Sequence, residues 1–430
     1  MLKEHSTMRG YADLVVDSPD DFKVHTSVYT DPQIFAAEMA NIFEKSWVYV
    51  AHESEIGQPG DYKTAAVGRM PVIVSRDKDY QIHVLLNVCR HRGSVVCREE
   101  RGNGQYFRCP YHNWVYRNDG VLVGIADRHR YPEGWGERIG GLMKAPRVAT
   151  YRGMIFASFA EEGKTLEEYF GPLRTSIDYW FDHSPVGQVK LSRPYRAVYH
   201  GNWKFQAENS TDGWHARYVH ESALKMLERF ELRSRAVGWP GCTRGFEHGH
   251  GVLETERNDI PPEVETEFSE HVDLLKRRYG AAAADQTYRR RHVAIFPNLH
   301  LMEFKFRVIQ PVAVDRTIVY EYPVQLEDVP DRINKAIFTR IAKDISVSSG
   351  SLVAGMVNAD DVDIFGRVQS GLQAAKVEWL YLSRGLQQEE PRHPGEVVGE
   401  RTDEVPQRAL YREWARLMAS VPADEVSDER

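Results

Sequence analysis

The sequence predicts an α+β protein made of two unlike parts. Between residues 46 and 160, short runs rich in β-branched and aromatic residues follow one another, which is typical of a small antiparallel β domain. Asn118-Asp119-Gly120 separates two of these runs and predicts a tight hairpin. Residues 292–325 also alternate like strands, whereas residues 331–375 have helical spacing. We therefore expect the second, larger part to combine an antiparallel sheet with helices packed against it.

The individual elements follow from local patterns. Residues 1–28 show little periodicity and predict an irregular lead-in. A helix is predicted over residues 31–45, because Thr30-Asp31-Pro32-Gln33 matches a helix start and apolar residues then recur at helical spacing. Beyond these, the patterns predict strands at 47–50, 71–75, 83–88, 106–108, 115–117, 121–123, 154–159 and 195–200, and helices at 166–170 and 263–279.

Composition and charge limit the classes of function. The chain has 430 residues, a formal net charge of −7 and a pI near 6.2, and its Lys and Arg residues are scattered. These features argue against a nucleic-acid-binding surface. No apolar run reaches the roughly 18 residues that a membrane helix needs, and the first residues contain no hydrophobic signal core. We therefore expect a cytoplasmic protein without membrane contact.

The four cysteines fall into two groups. Cys97 and Cys242 have no nearby histidine partners and are predicted to be small buried hydrophobic residues rather than parts of a disulfide framework. The other two belong to a Cys-x-His and a Cys-x2-His motif, which together are the ligand set of a Rieske [2Fe–2S] centre: Cys89, His91, Cys109 and His112. A structural zinc site is the alternative, but Cys-x-His is a poor match to zinc-finger spacing.

A second candidate centre lies in the segment Glu208–His220. Its two imidazoles, His215 and His220, together with a carboxylate could form the facial triad that holds a non-haem Fe(II). On a continuous helix Glu208, Asp212 and His215 would share one face, and His220 would lie about 140° away from His215. If both histidines bind one metal, the helix must break or bulge between them. The spacing is a weak motif alone and gains weight from the first centre.

Together the two motifs resemble the large (α) subunits of Rieske non-haem iron ring-hydroxylating oxygenases, over nearly the whole chain. The stretches Thr30–Ser54, Glu208–His220 and Gly245–His250 are similar to the benzoate, toluate and anthranilate dioxygenase branch. The resemblance implies a Rieske domain followed by a catalytic domain with a helix-grip-like sheet. The resulting division is an N-terminal segment packing with the catalytic domain at 1–45, the Rieske domain at 46–160, the catalytic domain at 161–420 and a disordered tail at 421–430.

The resemblance also implies roles for single residues. The third iron ligand in this family is a downstream carboxylate, which corresponds to Asp361, with Asp360 as the alternative. Asp212 corresponds to a residue that hydrogen-bonds the iron-binding His215 and, across a subunit boundary, the Rieske residue His112. Such a bridge would orient both imidazoles and offer a short electron route. The alternative for Asp212 is direct ligation of the iron.

The function implied by the resemblance is that of a terminal oxygenase. Electrons from NAD(P)H would arrive through a separate reductase and possibly a ferredoxin, since the chain contains no G-x-G-x-x-G fingerprint. O2 would then hydroxylate an aromatic ring, giving a cis-dihydrodiol. Pairing of centres from neighbouring subunits implies a homotrimer, possibly joined by small β subunits as α3β3. The alternatives are a Rieske monooxygenase acting by ring hydroxylation or demethylation, a non-catalytic electron-transfer protein and a zinc-stabilised binding module.

The branch resemblance favours an aromatic carboxylate substrate, which requires at least one cationic or hydrogen-bonding group in the pocket. His250, His300 and Lys305 are conceivable, although a histidine in a strand is more often structural, so none is assigned. Two residues depart from the branch, since Trp214 stands where Tyr is usual and Asn113 where Gly or Ala is common. Trp214 adjoins His215 and could reshape the pocket.

Overall fold

The computed structural model describes residues 10–221, 225, 240–256, 265–346, 356–374 and 376–419. The chain divides into two compact units, one of residues Phe43–Leu166 and one that combines Met1–Ile42 with Glu167–Arg430. The expected tail at 421–430 lies outside the described residues. No helix in the described ranges is both long and apolar enough to cross a membrane.

The N-terminal segment contains strands where an irregular lead-in was predicted. Its elements are β1 (Val15–Asp17), β2 (Phe22–His25), α1 (Ser27–Thr30) and α2 (Pro32–Glu38). Helix α2 starts one residue later than predicted, because Asp31 rather than Thr30 caps it: the Asp31 carboxylate accepts a hydrogen bond from the backbone N–H of Gln33 at 2.7 Å, and Pro32 occupies the first helical position. A π-helical turn over Met39–Phe43 follows, so the predicted helix is in two parts.

The small unit is built of antiparallel strands, as the alternation and turn signals predict. Three separate sheets have the strand orders β6-β5-β4-β7, β10-β9-β8 and β11-β12-β3. Gly120, in the predicted hairpin, has a φ of 92°, a conformation that favours glycine. The elements are β3 (Val48–His52), β4 (Asp61–Val67), β5 (Met70–Arg76), β6 (Ile82–Leu86), β7 (Arg101–Asn103), β8 (Tyr106–Arg108), β9 (Val115–Arg117), β10 (Leu122–Gly124), α3 (Trp135–Ile139), β11 (Arg147–Tyr151) and β12 (Met154–Ser158).

The larger unit begins with helices and short strands that lead to the Glu208–His220 segment. Its first elements are α4 (Leu166–Phe170), α5 (Arg174–Phe181), β13 (Val189–Leu191), β14 (Tyr195–Tyr199), α6 (Trp203–Asn209) and α7 (Ala216–Val219). The rest are β15 (Gly241–Phe246), β16 (Gly251–Thr255), α8 (Glu265–Tyr279), α9 (Ala281–Tyr288), β17 (Arg290–Ile295), β18 (Leu299–Met302), β19 (Lys305–Ala313), β20 (Arg316–Leu326), α10 (Asp331–Ser346), α11 (Met356–Gln373), β21 (Trp379–Tyr381), β22 (Glu390–His393), β23 (Glu396–Glu400) and α12 (Val405–Met418).

A ten-stranded antiparallel sheet is the largest sheet of this unit, and helices pack against it. Its order is β13-β20-β19-β18-β17-β16-β15-β23-β22, and β14 pairs with another part of β20. One row of cross-strand neighbours shares a face of this sheet: Gly245, Gly251, Ala294, His300, Arg307 and Glu321. At the glycine end α12 packs closely, with Pro406 beside Gly251. The charged end of the row contacts the chain that follows α6. The predicted α+β class is confirmed.

Buried polar contacts tie the N-terminal segment to the helices over the sheet. Glu38 is completely buried and accepts hydrogen bonds from Lys204 Nζ at 2.5 Å, Trp203 Nε1 at 2.9 Å and Trp414 Nε1 at 2.7 Å. Buried charges are stable only when paired and hydrogen-bonded in this way. Helices α2, α6 and α12 are therefore held in fixed register above the sheet.

Candidate cofactor centres

Two loops of the small unit have the same backbone hydrogen bonding. In the first, Cys89 donates from its backbone N–H to the carbonyl of Ser94 at 2.8 Å and accepts from Gly93 at 3.0 Å. In the second, Cys109 makes the equivalent bonds to Trp114, at 2.8 Å, and Asn113, at 3.0 Å. Each loop therefore starts at one cysteine of the predicted Rieske ligand set.

The fourth residue after each cysteine is left-handed, with φ of 73° at Gly93 and 59° at Asn113. Asn is among the few residues other than Gly that adopt this conformation readily. This geometry explains why Asn113 can stand where Gly is common.

The two loops bring all four predicted cluster ligands together. Rings of His91 and His112 have centroids 4.5 Å apart, and the two cysteine thiols interact beneath them in an apolar core. His91 stacks on Trp114 at 4.8 Å, which fixes its ring plane. Its Nδ1 atom is buried without a hydrogen-bond partner among the described residues. A buried imidazole nitrogen without a partner, next to two thiols and a second imidazole, fits metal ligation.

Tyr116 is a contact that the motif did not predict. Its hydroxyl lies 3.2 Å from Cys89 Sγ and accepts a hydrogen bond from the backbone N–H of Arg90 at 3.1 Å. The ring is completely buried in the core of the small unit. Strand alternation after the second loop could have shown that Tyr116 points inward, but not that it reaches the other loop.

The Glu208–His220 segment is not one continuous helix. Helix α6 ends at Asn209 and the four-residue helix α7 begins at Ala216, so the break lies before His215 rather than between the two histidines. The Asp212 carboxylate produces the new start, because its Oδ1 accepts from the backbone N–H groups of Trp214 at 2.7 Å and His215 at 3.3 Å. The expectation that Glu208, Asp212 and His215 share one helical face is therefore wrong.

The short helix places both histidines beside Asp361 of α11. Asp361 Oδ1 lies 3.6 Å from His215 Nε2 and 3.4 Å from His220 Nε2. One ligand atom from each of these three residues lies within 4.8 Å of the others, and His220 and Asp361 are buried. Two imidazoles and a carboxylate converging in this way have the composition of a facial triad.

Two further carboxylates contact the opposite imidazole nitrogens. Asp212 Oδ2 lies 3.2 Å from His215 Nδ1, and Asp360 Oδ2 lies 3.4 Å from His220 Nδ1. Burial alone would lower the pKa of His215, but the hydrogen bond and charge of Asp212 raise it above its ordinary value. Burial lowers the pKa of His220 despite the nearby charge of Asp361. A carboxylate on the second nitrogen fixes the ring orientation and makes the first nitrogen a better ligand.

Comparison with known proteins agrees with this geometry. Residues 46–149 match the Rieske [2Fe–2S] domain model, and residues 186–420 match the model of the ring-hydroxylating alpha subunit catalytic domain. The chain belongs to the ring-hydroxylating oxygenase α subunits. It is an oxidoreductase whose family carries a Rieske [2Fe–2S] cluster and a mononuclear iron.

Among curated relatives of this oxygenase subunit are three with different named reactions. The 2-halobenzoate 1,2-dioxygenase large subunit of Burkholderia cepacia is 34% identical over 85% of this chain and 80% of its own length. The toluate 1,2-dioxygenase subunit alpha of Pseudomonas putida is 33% identical over 84% of this chain and 82% of its own length. The N,N-dimethyl phenylurea N-demethylase subunit alpha of a Sphingobium species, strain YBL2, is 30% identical over 98% of both chains. The predicted resemblance to the benzoate branch is confirmed.

The fold of the oxygenase subunit is also found among solved structures. Naphthalene 1,2-dioxygenase, as a Phe-to-Val mutant bound to phenanthrene, aligns with a TM-score of 0.84 and 27% identity. The alignment covers 96% of this chain and 95% of that one. Both predicted parts are therefore present in one known architecture.

In the oxygenase, Asn209 is a site residue that sequence analysis missed. Its side-chain Nδ2 lies 3.2 Å from His215 Nε2 and donates to Asp361 Oδ1 at 3.2 Å. It therefore contacts two members of the His215–His220–Asp361 group. Its place beside Glu208 in the motif was visible, but the direction of its side chain depends on where α6 ends.

Glu208 faces away from that group and joins three helices. Its carboxylate accepts hydrogen bonds from the hydroxyls of Tyr29, at 3.0 Å, and Tyr411, so it connects α6 to α1 and α12. Burial raises the pKa of Glu208 to about 7, although both tyrosines and Lys204 oppose the shift. Glu208 thus holds the end of α6 in place without contacting the His215–His220–Asp361 group.

The residues considered for substrate recognition have different surroundings in the structure. His250 is satisfied, because Nε2 bonds to the carbonyl of Tyr169 at 2.9 Å and Nδ1 accepts from the backbone N–H of Phe296 at 3.0 Å. His300 and Lys305 lie on β18 and β19, and the Nδ1 atom of His300 has no partner among the described residues. Trp214 is partly exposed, and the Arg384 guanidinium lies 4.1 Å from its ring centre.

Proposed function

We propose that this chain is the terminal oxygenase subunit of an aromatic-carboxylate dioxygenase, forming a cis-dihydrodiol. The convergence of His215, His220 and Asp361 carries the oxygenase part of the proposal. Identities of 33–34% to large subunits named for halobenzoate and toluate support the substrate class. The reaction joins O2, two electrons and two protons to an aromatic ring, so both oxygen atoms enter the product.

The residues would divide the work as follows. When bound, the Rieske cluster supplies single electrons and the non-haem iron supplies the chemistry of O2. Cys89, Cys109, His91 and His112 hold the first group. His215, His220 and Asp361 hold the second. The carboxylates of Asp212, 3.2 Å from Nδ1 of His215, and Asp360, 3.4 Å from Nδ1 of His220, would stabilise a proton on each of these nitrogens and so leave Nε2 as the ligand atom.

We propose that the enzyme works as an assembly with separate electron carriers. The relatives are named large or alpha subunits, which supports association with further chains. The family pattern favours a head-to-tail homotrimer in which Asp212 connects to His112 of a neighbouring subunit, with small β subunits as a further component. A reductase oxidising NAD(P)H, directly or through a ferredoxin, would deliver the electrons in the cytoplasm.

A second candidate is oxidative N-demethylation or another monooxygenation. It is favoured by the 30% identity to an N-demethylase subunit over 98% of both chains, a longer match than that of the benzoate relatives. The same iron ligands would serve this reaction, but only one oxygen atom of O2 would enter the organic product.

Single turnover of the chemically reduced holoprotein with 18O2 tests both candidates without needing the natural reductase. We expect benzoate or a substituted benzoate to give a cis-diol with two labelled oxygens, detected by mass spectrometry. His215→Ala with an intact Rieske spectrum is the control and should give no product. One labelled oxygen per product would favour monooxygenation, and no conversion of any benzoate by fully loaded protein would refute the substrate class.

A further inference from the structure

Lys305 is a buried cation whose donors are largely unmatched by the residues that the structure describes. Its side chain is 10% exposed, yet its ammonium makes a single hydrogen bond within the described ranges, to Glu321 Oε2 at 2.9 Å. An ammonium has three N–H donors, and a buried donor without an acceptor is costly. The surroundings of Lys305 are therefore incomplete as a purely structural ion pair.

The neighbours of Lys305 add charge of the same sign. Arg307, two residues along β19, also pairs with Glu321, at 2.6 Å and with a side chain only 4% exposed. Two cations thus share one carboxylate. Glu303 also attracts the charge of Lys305 and pairs with Arg290, so these five side chains carry three positive and two negative charges. A buried excess of one positive charge favours binding of an anion.

This charge lies directly beneath the iron motif. Lys305 and Arg307 point to the same face of the sheet, because alternate residues of a strand do. On that face Arg307 Nη1 donates to Ser210 Oγ at 3.4 Å. Ser210 follows Asn209, which contacts both His215 and Asp361. Two consecutive residues, Asn209 and Ser210, thus connect the cation cluster to the candidate iron ligands.

We propose that Lys305, supported by Arg307, binds the carboxylate of the aromatic substrate. The proposal rests on the proposed function and identifies the residue that sets its substrate class. The carboxylate accepts from the free donors of Lys305 and balances the cluster, which orients the ring toward the iron motif. No bond is made or broken in this step.

The test compares benzoate with benzamide, which has nearly the same shape and no charge. Binding to the holoenzyme is measured by anaerobic calorimetry for the wild type and for Lys305→Met. We expect the dissociation constant of benzoate to rise about 10- to 100-fold, the effect of losing a hydrogen bond to a charged group, while that of benzamide changes little. Lys305→Met leaves Arg307 paired with Glu321, so the core stays neutral.

Two further variants separate recognition from stability. Arg291→Met is the matched control, because Arg291 is equally buried in a pair with Glu254, at 2.7 Å, and points to the other face of the same sheet. It should leave the ratio of benzoate to benzamide affinity unchanged. Glu321→Gln removes the competing carboxylate and should tighten benzoate binding several-fold, whereas a purely structural role predicts weakening.

The possible failures are distinguishable. One outcome is that the wild type converts benzoates and that Lys305→Met binds benzoate with the same dissociation constant as the wild type. The assignment of Lys305 is then refuted and the proposed function stands. If the wild type neither binds nor converts benzoates while it hydroxylates neutral arenes, the proposed substrate class fails and the role of Lys305 fails with it.

Discussion

The two cofactor centres of this chain are built in opposite ways. The two loops of the Rieske domain lie close together in sequence, repeat one backbone pattern and bring the four proposed cluster ligands to a single small core. The iron motif instead combines a broken helix with a carboxylate from the distant helix α11, above a ten-stranded sheet. A local centre depends on loop geometry, whereas a dispersed centre depends on how the whole unit packs.

The largest effect should come from the residue that closes the dispersed centre. Asp361→Asn should reduce single-turnover product by more than about 100-fold with loss of mononuclear iron, since losing the proposed third ligand should exceed the 10- to 100-fold cost of changing a supporting residue. The matched change Asp360→Asn should cost about 10-fold, because Asp360 contacts only the second nitrogen of His220.

Product yield, iron content and the visible spectrum of the Rieske cluster are measured for both variants. The cluster spectrum should be unchanged in each, which separates the two centres. A greater loss of product and iron in Asp360→Asn than in Asp361→Asn would mean that Asp360 is the iron ligand and Asp361 the supporting residue.

In the local centre, Tyr116→Phe should act on the cluster alone. The Tyr116 hydroxyl lies 3.2 Å from Cys89 Sγ, and hydrogen bonds to the sulfurs of such clusters raise their reduction potential. We expect the potential to fall by tens of millivolts, on the order of 1–2 kcal/mol for a one-electron couple, with mononuclear iron content unchanged. Protein-film voltammetry measures the shift. An unchanged potential would mean that the hydroxyl only supports the loop, through Arg90.

Outside both centres, we expect the free energy of unfolding to depend on pH through Glu208. Its folded pKa of about 7 is above the ordinary value of 4.5, so the folded state holds a proton that the unfolded state releases. The contribution of Glu208 to the free energy of unfolding is fully present below pH 4.5. It falls by up to about 3 kcal/mol as pH rises toward 7. The charged groups around it, Lys204 and Glu404, and the two tyrosines are unchanged in Glu208→Gln.

Urea unfolding at pH 5 and pH 8 compares this variant with the wild type. Glu208→Gln should show a smaller loss of unfolding free energy between the two pH values. An identical loss in both proteins would assign the pH dependence to other groups.

Much of the molecule could be predicted because its signals are local. The Cys-x-His and Cys-x2-His motifs, the hairpin at Asn118 and the start of α2 each depend on neighbouring residues. The strands β1 and β2 were missed because they have only three and four residues, too few to show a clear alternation, and because β2 also pairs with β21, more than 350 positions later. The helix break was misplaced because the Asp212 side chain, not the backbone propensity, decides it.

The residues that surround the dispersed centre were harder to foresee. The sequence offered Asp361 and Asp360 equally as acidic residues near a helix start, and only the tertiary contacts distinguish which nitrogen each one faces. The unmatched donors of Lys305 likewise depend on a count of partners across β19 and β20. Periodicity can assign a residue to a sheet face, but it cannot show whether its charge is balanced.

The small unit is inserted into the larger one, since residues on both sides of Phe43–Leu166 belong to the same compact unit. This arrangement has a consequence for synthesis on the ribosome. The inserted unit can fold once residue 166 has emerged, but β2 must wait for β21 at Trp379–Tyr381. At ordinary translation rates that delay is about 10–40 s. The N-terminal segment therefore completes its strand pairing later than the inserted unit can fold.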